Sequence, residues 1–160
     1  MNTLPDEIIT KVAITWTRPI DYDRLIETSH PKDDEAHLYM ITARFSTKTS
    51  KIVYIGKTYK QNVSTRLKQP DHKKRRKLLH RKYKKHKLRV SLGLVSISGG
   101  NCTRRRIDEV ESLLIYAGYQ PTSINLRKIW DHRVADSYEI RNFGYRNGLP
   151  SRICFGLFIN

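Results

Sequence analysis

Cysteine is nearly missing from this 160-residue chain. Cys102 and Cys154 stand far apart with no CxxC pair, so neither a disulfide framework nor a zinc cluster can be assembled from them. The six histidines, His30, His37, His72, His80, His86 and His132, follow no structural-zinc spacing, and most are expected on the surface or facing nucleic acid. No apolar stretch reaches the ~18 residues that a spanning helix needs, so no membrane is expected among the partners. Residues 1–7 carry neither the basic leader nor the apolar core of a secretory signal, and a cytoplasmic location is the expectation. There is no internal repeat and no low-complexity linker, and the length suits one domain with short appendages. Negative charge is the other scarcity: 15 Asp+Glu face 31 Lys+Arg for a net charge of +16, and after Asp71 no acid occurs until Asp108. Such a balance selects a polyanionic partner, of which nucleic acid is the commonest, and says little about fold.

What is present is a set of short apolar segments with clear punctuation. Residues 1–36 hold one apolar run at 12–16, a short helical pattern around 22–26 and a polar connection at 31–35. Residues 38–45 and 52–55, rich in apolar and β-branched side chains and separated by a polar turn at 46–50, predict a β-hairpin that places Tyr39 and Tyr54 on one face of neighbouring strands. A short helix is expected over 62–67, stopped by Pro70. Residues 72–89 predict a basic helix with Leu79, Tyr83 and His86 on its inward stripe, and residues 90–97 a third strand. Residues 103–118 place Ile107, Val110, Leu113, Leu114 and Ala117 at helical spacing. Glu111 then falls at the edge of the buried stripe, with Asp108 and Glu109 turned away from it. The final apolar run, 153–159, suits a further hairpin or strand. The expectation is an α/β (α+β) domain: a small three-stranded antiparallel sheet flanked by helices over 37–126, an N-terminal extension over 1–36, and a C-terminal extension over 127–160 packing on the core.

The order Tyr39, then Tyr54-Ile55-Gly56-Lys57, then Arg66, Glu111 and Asn125 resembles the GIY-YIG nuclease superfamily over residues 37–126. The second name-giving tripeptide is intact as Tyr54-Ile55-Gly56; the first reads Leu38-Tyr39-Met40-Ile41 and keeps its tyrosine. The resemblance implies a metal-dependent endonuclease that hydrolyses DNA phosphodiesters with one Mg2+ (or Mn2+). It assigns Tyr39 to the attacking water, Arg66 to the scissile phosphate, Glu111 to the metal and Asn125 to bracing the site. Members often place a histidine or tyrosine four residues after the arginine. Here Pro70 stands there, and His72 or His80 is the candidate in its place.

The residue types suit the chemistry. Phosphodiester hydrolysis needs an activated water, charge stabilisation at phosphorus and relief of the leaving alkoxide, and a divalent ion serves the last two needs. One carboxylate with several waters is a usual way to hold magnesium. A free phenol with a pKa near ~10 is a poor base at neutral pH, so Tyr39 needs cations or a proton acceptor, which Lys57 or a histidine would provide. Tyr54 would hydrogen-bond the phosphate or its water, Gly56 would allow close approach of backbone and substrate, and Arg66 offers a bidentate fork. Lys57, Lys73, Lys74, Arg75, Arg76, Arg81 and Lys84 are expected to contact backbone phosphates, and Tyr59 and Tyr83 to stack on unpaired bases. The competing expectation is a non-catalytic basic nucleic-acid-binding protein, either a degenerate nuclease or a ribosome-associated factor. DNA is the expected partner, with RNA left open.

Overall fold

A computed structural model of the chain describes residues 9–98, 100–125, 134 and 136–156. The secretory-signal reading of residues 1–7 and the last part of the apolar run, 157–159, lie outside them. The first strand, β1 (Ile9–Trp16), alternates buried Val12, Ile14 and Trp16 with exposed Lys11 and Thr15. A two-residue strand, β2 (Ile20–Asp21), leads into α1 (Tyr22–Thr28), whose first turn is capped by the Asp21 carboxylate accepting from the backbone N–H of Asp23 and Arg24. The hairpin follows as β3 (Leu38–Arg44) and β4 (Ser50–Lys57). Burial on both faces explains why β3 reads as a continuous apolar run rather than an alternating one.

Two helices come next. In α2 (Val63–Leu67) and α3 (Pro70–Lys82), the proline starts the second helix at a position where no N–H is needed. The basic helix therefore ends at Lys82, and the chain turns back into β5 (Lys87–Ser98). Leu79 and Tyr83 face inward as expected, but Tyr83 is sealed at the helix end. Its hydroxyl donates to the Thr122 carbonyl at 2.5 Å and its ring meets Phe45, so it is no stacking platform for bases. The long helix α4 (Arg104–Ala117) starts at Thr103, whose hydroxyl accepts from the N–H of Arg106, and ends at Gly118. Then come β6 (Ser137–Gly144) and β7 (Arg152–Phe155).

The sheet overturns the expected three strands. It has seven, in the order β4-β3-β5-β1-β6-β7, with β2 also paired to β5. The cause is the 12-residue length of β5: its first half pairs antiparallel with β3, and its second half pairs antiparallel with β1 on the opposite edge. Once β1 is a central strand it offers a free edge, which β6 fills in parallel and β7 extends. Residues from 1–36 and 127–160 thus share one sheet with the hairpin. Trp16 donates its indole N–H to Asn142 Oδ1 at 3.0 Å, and Asn142 in turn donates to the Pro150 carbonyl at 2.9 Å, which satisfies a buried amide.

Two apolar clusters sit on opposite faces. Val12, Ile14, Trp16, Leu38, Met40, Tyr138 and Ile140 pack against α4. Tyr39, Ile41, Val90 and Leu92 pack against Tyr22, Leu25, Val63, Leu67 and Leu79 of α1, α2 and α3. On this second face the half made by β1, β6 and β7 presents exposed Lys11, Thr15, Arg141, Phe143 and Arg152. Among the described residues no helix is long and apolar enough to cross a membrane.

Candidate active site and nucleic-acid interface

The hairpin register puts Tyr39 opposite Gly56, and Ile41 opposite Tyr54. Tyr39 and Tyr54 therefore share a face, with ring centroids 6.0 Å apart. Gly56 is where it is because Tyr39 lies across it. A Cβ there would approach Tyr39 Cε2 to 2.8 Å and meet Cζ and the hydroxyl more closely still. A bulge between Ile41 and Thr42 leaves Val53 as the extra residue of β4, pointing to the α1–α3 side.

Starting α3 at Pro70 places His72 in its first turn, fully buried, and aims it at the tyrosines. The Tyr39 hydroxyl lies 3.2 Å from His72 Nε2, and the His72 ring lies 6.2 Å from that of Tyr54, centroid to centroid. His80 is elsewhere: it is half exposed, 3.6 Å from Asp23 and edge-on to Tyr22. Of the two candidate histidines, the fold brings His72 to Tyr39. Arg75, one turn further along, sits with its guanidinium 4.3 Å from the Tyr54 ring centroid and its Nη1 2.8 Å from His72 Nδ1. Burial and then the positive charges of Arg75 and Arg66 push the His72 pKa down to about 4, against the opposing effect of Asp71. Burial raises Tyr39 well above 10, helped by Tyr54 and Glu111 and opposed by Arg75 and Arg66; Tyr54 is raised for the same leading reason.

Arg66 ends α2 beside this cluster. It is held by Gln69 and, at 3.2 Å, by Asp71. It also lines a cleft of about 360 Å³ with Lys57, Tyr59, Gln61 and Arg104. On α4, Glu111 is only 5% exposed, with Oε2 3.3 Å from Lys57 Nζ, and Asp108 pairs with the same ammonium. The burial of Glu109 corrects the expectation that it turns away from the buried stripe, whereas Asp108, its side chain 49% exposed, does turn away from it. Asp108 is one turn before Glu111 and meets the same lysine. Glu109 is buried towards β6, accepting from the Tyr138 hydroxyl at 2.5 Å and from Arg105 at 2.9 Å. The expected helix stripe widened because β6 covers a flank of α4 that the hairpin alone would leave bare.

Asn125 does not join the cluster. Its Oδ1 accepts from the Ile55 N–H at 2.7 Å and its Nδ2 donates to the Ile55 carbonyl at 2.8 Å, so the side chain mimics a neighbouring strand on the open edge of β4. Ile124 and Gln120 extend the imitation, bonding to Val53 and Ile52. The asparagine thus fixes the backbone between Tyr54 and Gly56.

Of the expected phosphate contacts, Lys73, Lys74, Arg81 and Lys84 are exposed around α3, a helix of about 20 Å. Arg75 and Arg76 turn inward instead, Arg76 pairing with Asp23 and lying over Tyr22. Arg75, expected to contact phosphate from the basic helix over 72–89, instead packs on Tyr54 and His72. The available signal was its position three residues after His72, which places both on one helical face. No family model, curated protein or solved structure matches this chain.

Proposed function

We propose that this protein is a metal-dependent endonuclease of the GIY-YIG kind that hydrolyses phosphodiester bonds in DNA. The observation that carries the reading is the hydrogen-bonded reach of Tyr39 to a buried, neutral histidine, with the charges of Arg66 and of the Glu111 carboxylate on α4 acting on the same phenol. Glu111 and Asp108 are hard oxygen donors converging on one cation, here the Lys57 ammonium, and such donors fit Mg2+ or Mn2+. Glu111 would hold the ion, whose chemistry is to neutralise charge at phosphorus and relieve the leaving oxygen.

The chain's own residues would do the rest. Tyr39 is held neutral by burial, so it cannot act as a phenolate by itself. Arg75 donates to His72 Nδ1, so the neutral ring carries its proton on Nε2 and donates to the Tyr39 oxygen, which would leave the phenolic O–H of Tyr39 to hold the attacking water. Arg66, whose Nη1 and Nη2 are held by Gln69 and Asp71, would offer its remaining Nε–Nη2 edge to the non-bridging oxygens of the phosphate under attack. Asn125 holds the strand that presents Tyr54, and the exposed lysines of α3 bind flanking phosphates.

The second reading is a non-catalytic nucleic-acid-binding protein. Two observations favour it: Tyr39 is only 1% exposed, and Lys57 already neutralises the carboxylates. Incubation with supercoiled plasmid and a branched DNA in magnesium, manganese or EDTA separates the two. Nicking that needs the metal and vanishes in Glu111→Gln, with binding retained, is the expected result. Salt-sensitive binding with no cleavage in any metal, of DNA or RNA, would establish the second reading instead.

A further inference from the structure

The open half of the sheet carries an arrangement that the catalytic cluster does not use. In the β6–β7 pair, Arg141 lies directly opposite Arg152, and Glu139 stands two residues before Arg141 on the same face. Glu139 Oε1 accepts from Arg141 Nε at 2.8 Å and lies 3.3 Å from Arg152 Nε. Both arginines are thus oriented through Nε, while their Nη groups meet no partner among the described residues. Each side chain remains about 60% exposed. A guanidinium fixed in this way presents its outer edge as a ready fork for phosphate, with its rotamer freedom already spent.

Beside them Phe143, 50% exposed, lies two residues beyond Arg141 on the same face. Arg141, Phe143, Arg146, Ser151 and Arg152 line a recess of about 510 Å³, with no acid among its lining residues. Glycine at 144, with φ of 74°, turns the chain just after the ring, and a side chain there would strike the Trp16 carbonyl.

We propose that this recess is a second nucleic-acid contact that takes a single strand, Arg141 and Arg152 holding successive phosphates while Phe143 stacks on an unpaired base. Positive charge alone would suit any polyanion. The exposed ring decides the class, because an unpaired base offers its face freely whereas a base step in a duplex must first be unstacked at a cost of a few kcal/mol. The contact does not depend on whether the chain cuts DNA.

The test is fluorescence anisotropy of a labelled oligo-dT and of a duplex of equal length, titrated in EDTA over a series of salt concentrations. Phe143→Ala is expected to weaken oligo-dT binding about tenfold and leave duplex binding unchanged. Phe143→Leu, which keeps the apolar bulk without the ring, should behave like the alanine variant and serves if that one folds poorly. Arg141→Gln with Arg152→Gln should reduce the salt slope for oligo-dT by about 1.4, two phosphates at ~0.7 each. Oligo-dT affinity unchanged in both Phe143 variants would overturn the proposal. So would arginine variants that weaken duplex and single strand alike, which would make the patch a plain phosphate contact. Since no cleavage is read, absence of nuclease activity and absence of this contact are separate results.

Discussion

His72 should make this protein lose stability as acid is added, at a pH where most carboxylates are still ionised. In the folded chain the ring is fully buried, faces the Tyr39 hydroxyl, and stands among Arg75, Arg66 and Asp71. Burial and the two arginines lower its pKa from 6.5 to about 4. Between those values the unfolded chain binds a proton that the folded chain refuses, so stability is full above pH 6.5 and declines as the pH falls towards 4. A gap of about 2.5 pKa units corresponds to about 3 kcal/mol in total, of which about 2.5 kcal/mol is lost by pH 4.5. The assay is urea unfolding of the wild-type chain and His72→Gln at pH 7.0 and pH 4.5. Subtracting the variant removes the other histidines and the carboxylates, and the wild type should lose about 2 to 3 kcal/mol more than the variant. Proton–carbon NMR of the imidazole gives the pKa directly. A His72 ring that titrates near 6.5, or two proteins with the same pH slope, would refute the burial and charge argument and with it the neutral state of the ring.

Other perturbations have outcomes of known direction. Gly56→Ala forces a methyl into the Tyr39 ring and should cost about 1 to 3 kcal/mol in denaturant unfolding while breaking the Tyr39–His72 contact, so nicking should fall further than stability alone explains. Asn125→Ala leaves both backbone groups of Ile55 without a partner on that edge and should destabilise by about 1 to 3 kcal/mol, with amide exchange accelerated first along β4. Arg66→Lys keeps the charge but loses the fork. Plasmid-nicking turnover should drop at least tenfold with DNA affinity little changed; unaltered turnover would remove Arg66 from the phosphate. Tyr138→Phe strips the buried Glu109 of a hydrogen bond and should lower the melting temperature without affecting DNA binding.

Much of this protein was legible before any coordinates, because local rules govern the pieces concerned. The apolar spacing of Ile107, Val110, Leu113 and Leu114 dictated α4, and the polar cluster between two β-rich runs dictated the β3–β4 hairpin. Tyr39, Tyr54 and Gly56 meet because strand register has a period of two, which any sequence alternation encodes. The sheet's true extent was not legible. The parallel pairing of β1 with β6 joins residues 128 positions apart, as Ile9 and Ser137 show, a separation that no local window spans.

Proximity in space was decided by tertiary structure alone. Pro70 looked like a barrier to a helical partner for Tyr39. It became the first residue of α3, and that helix, docked through Leu79 on the second face, carried His72 and Arg75 to the tyrosines. Glu111 was placed by its own helix, but the pairing of Glu111 and Asp108 with Lys57 required α4 to pack beside the end of β4. Sequence by itself determined the charge, the short elements and the residue types able to handle a phosphate. Which of them touch follows from packing, since burial against distant strands is paid for by many weak contacts that no local window contains.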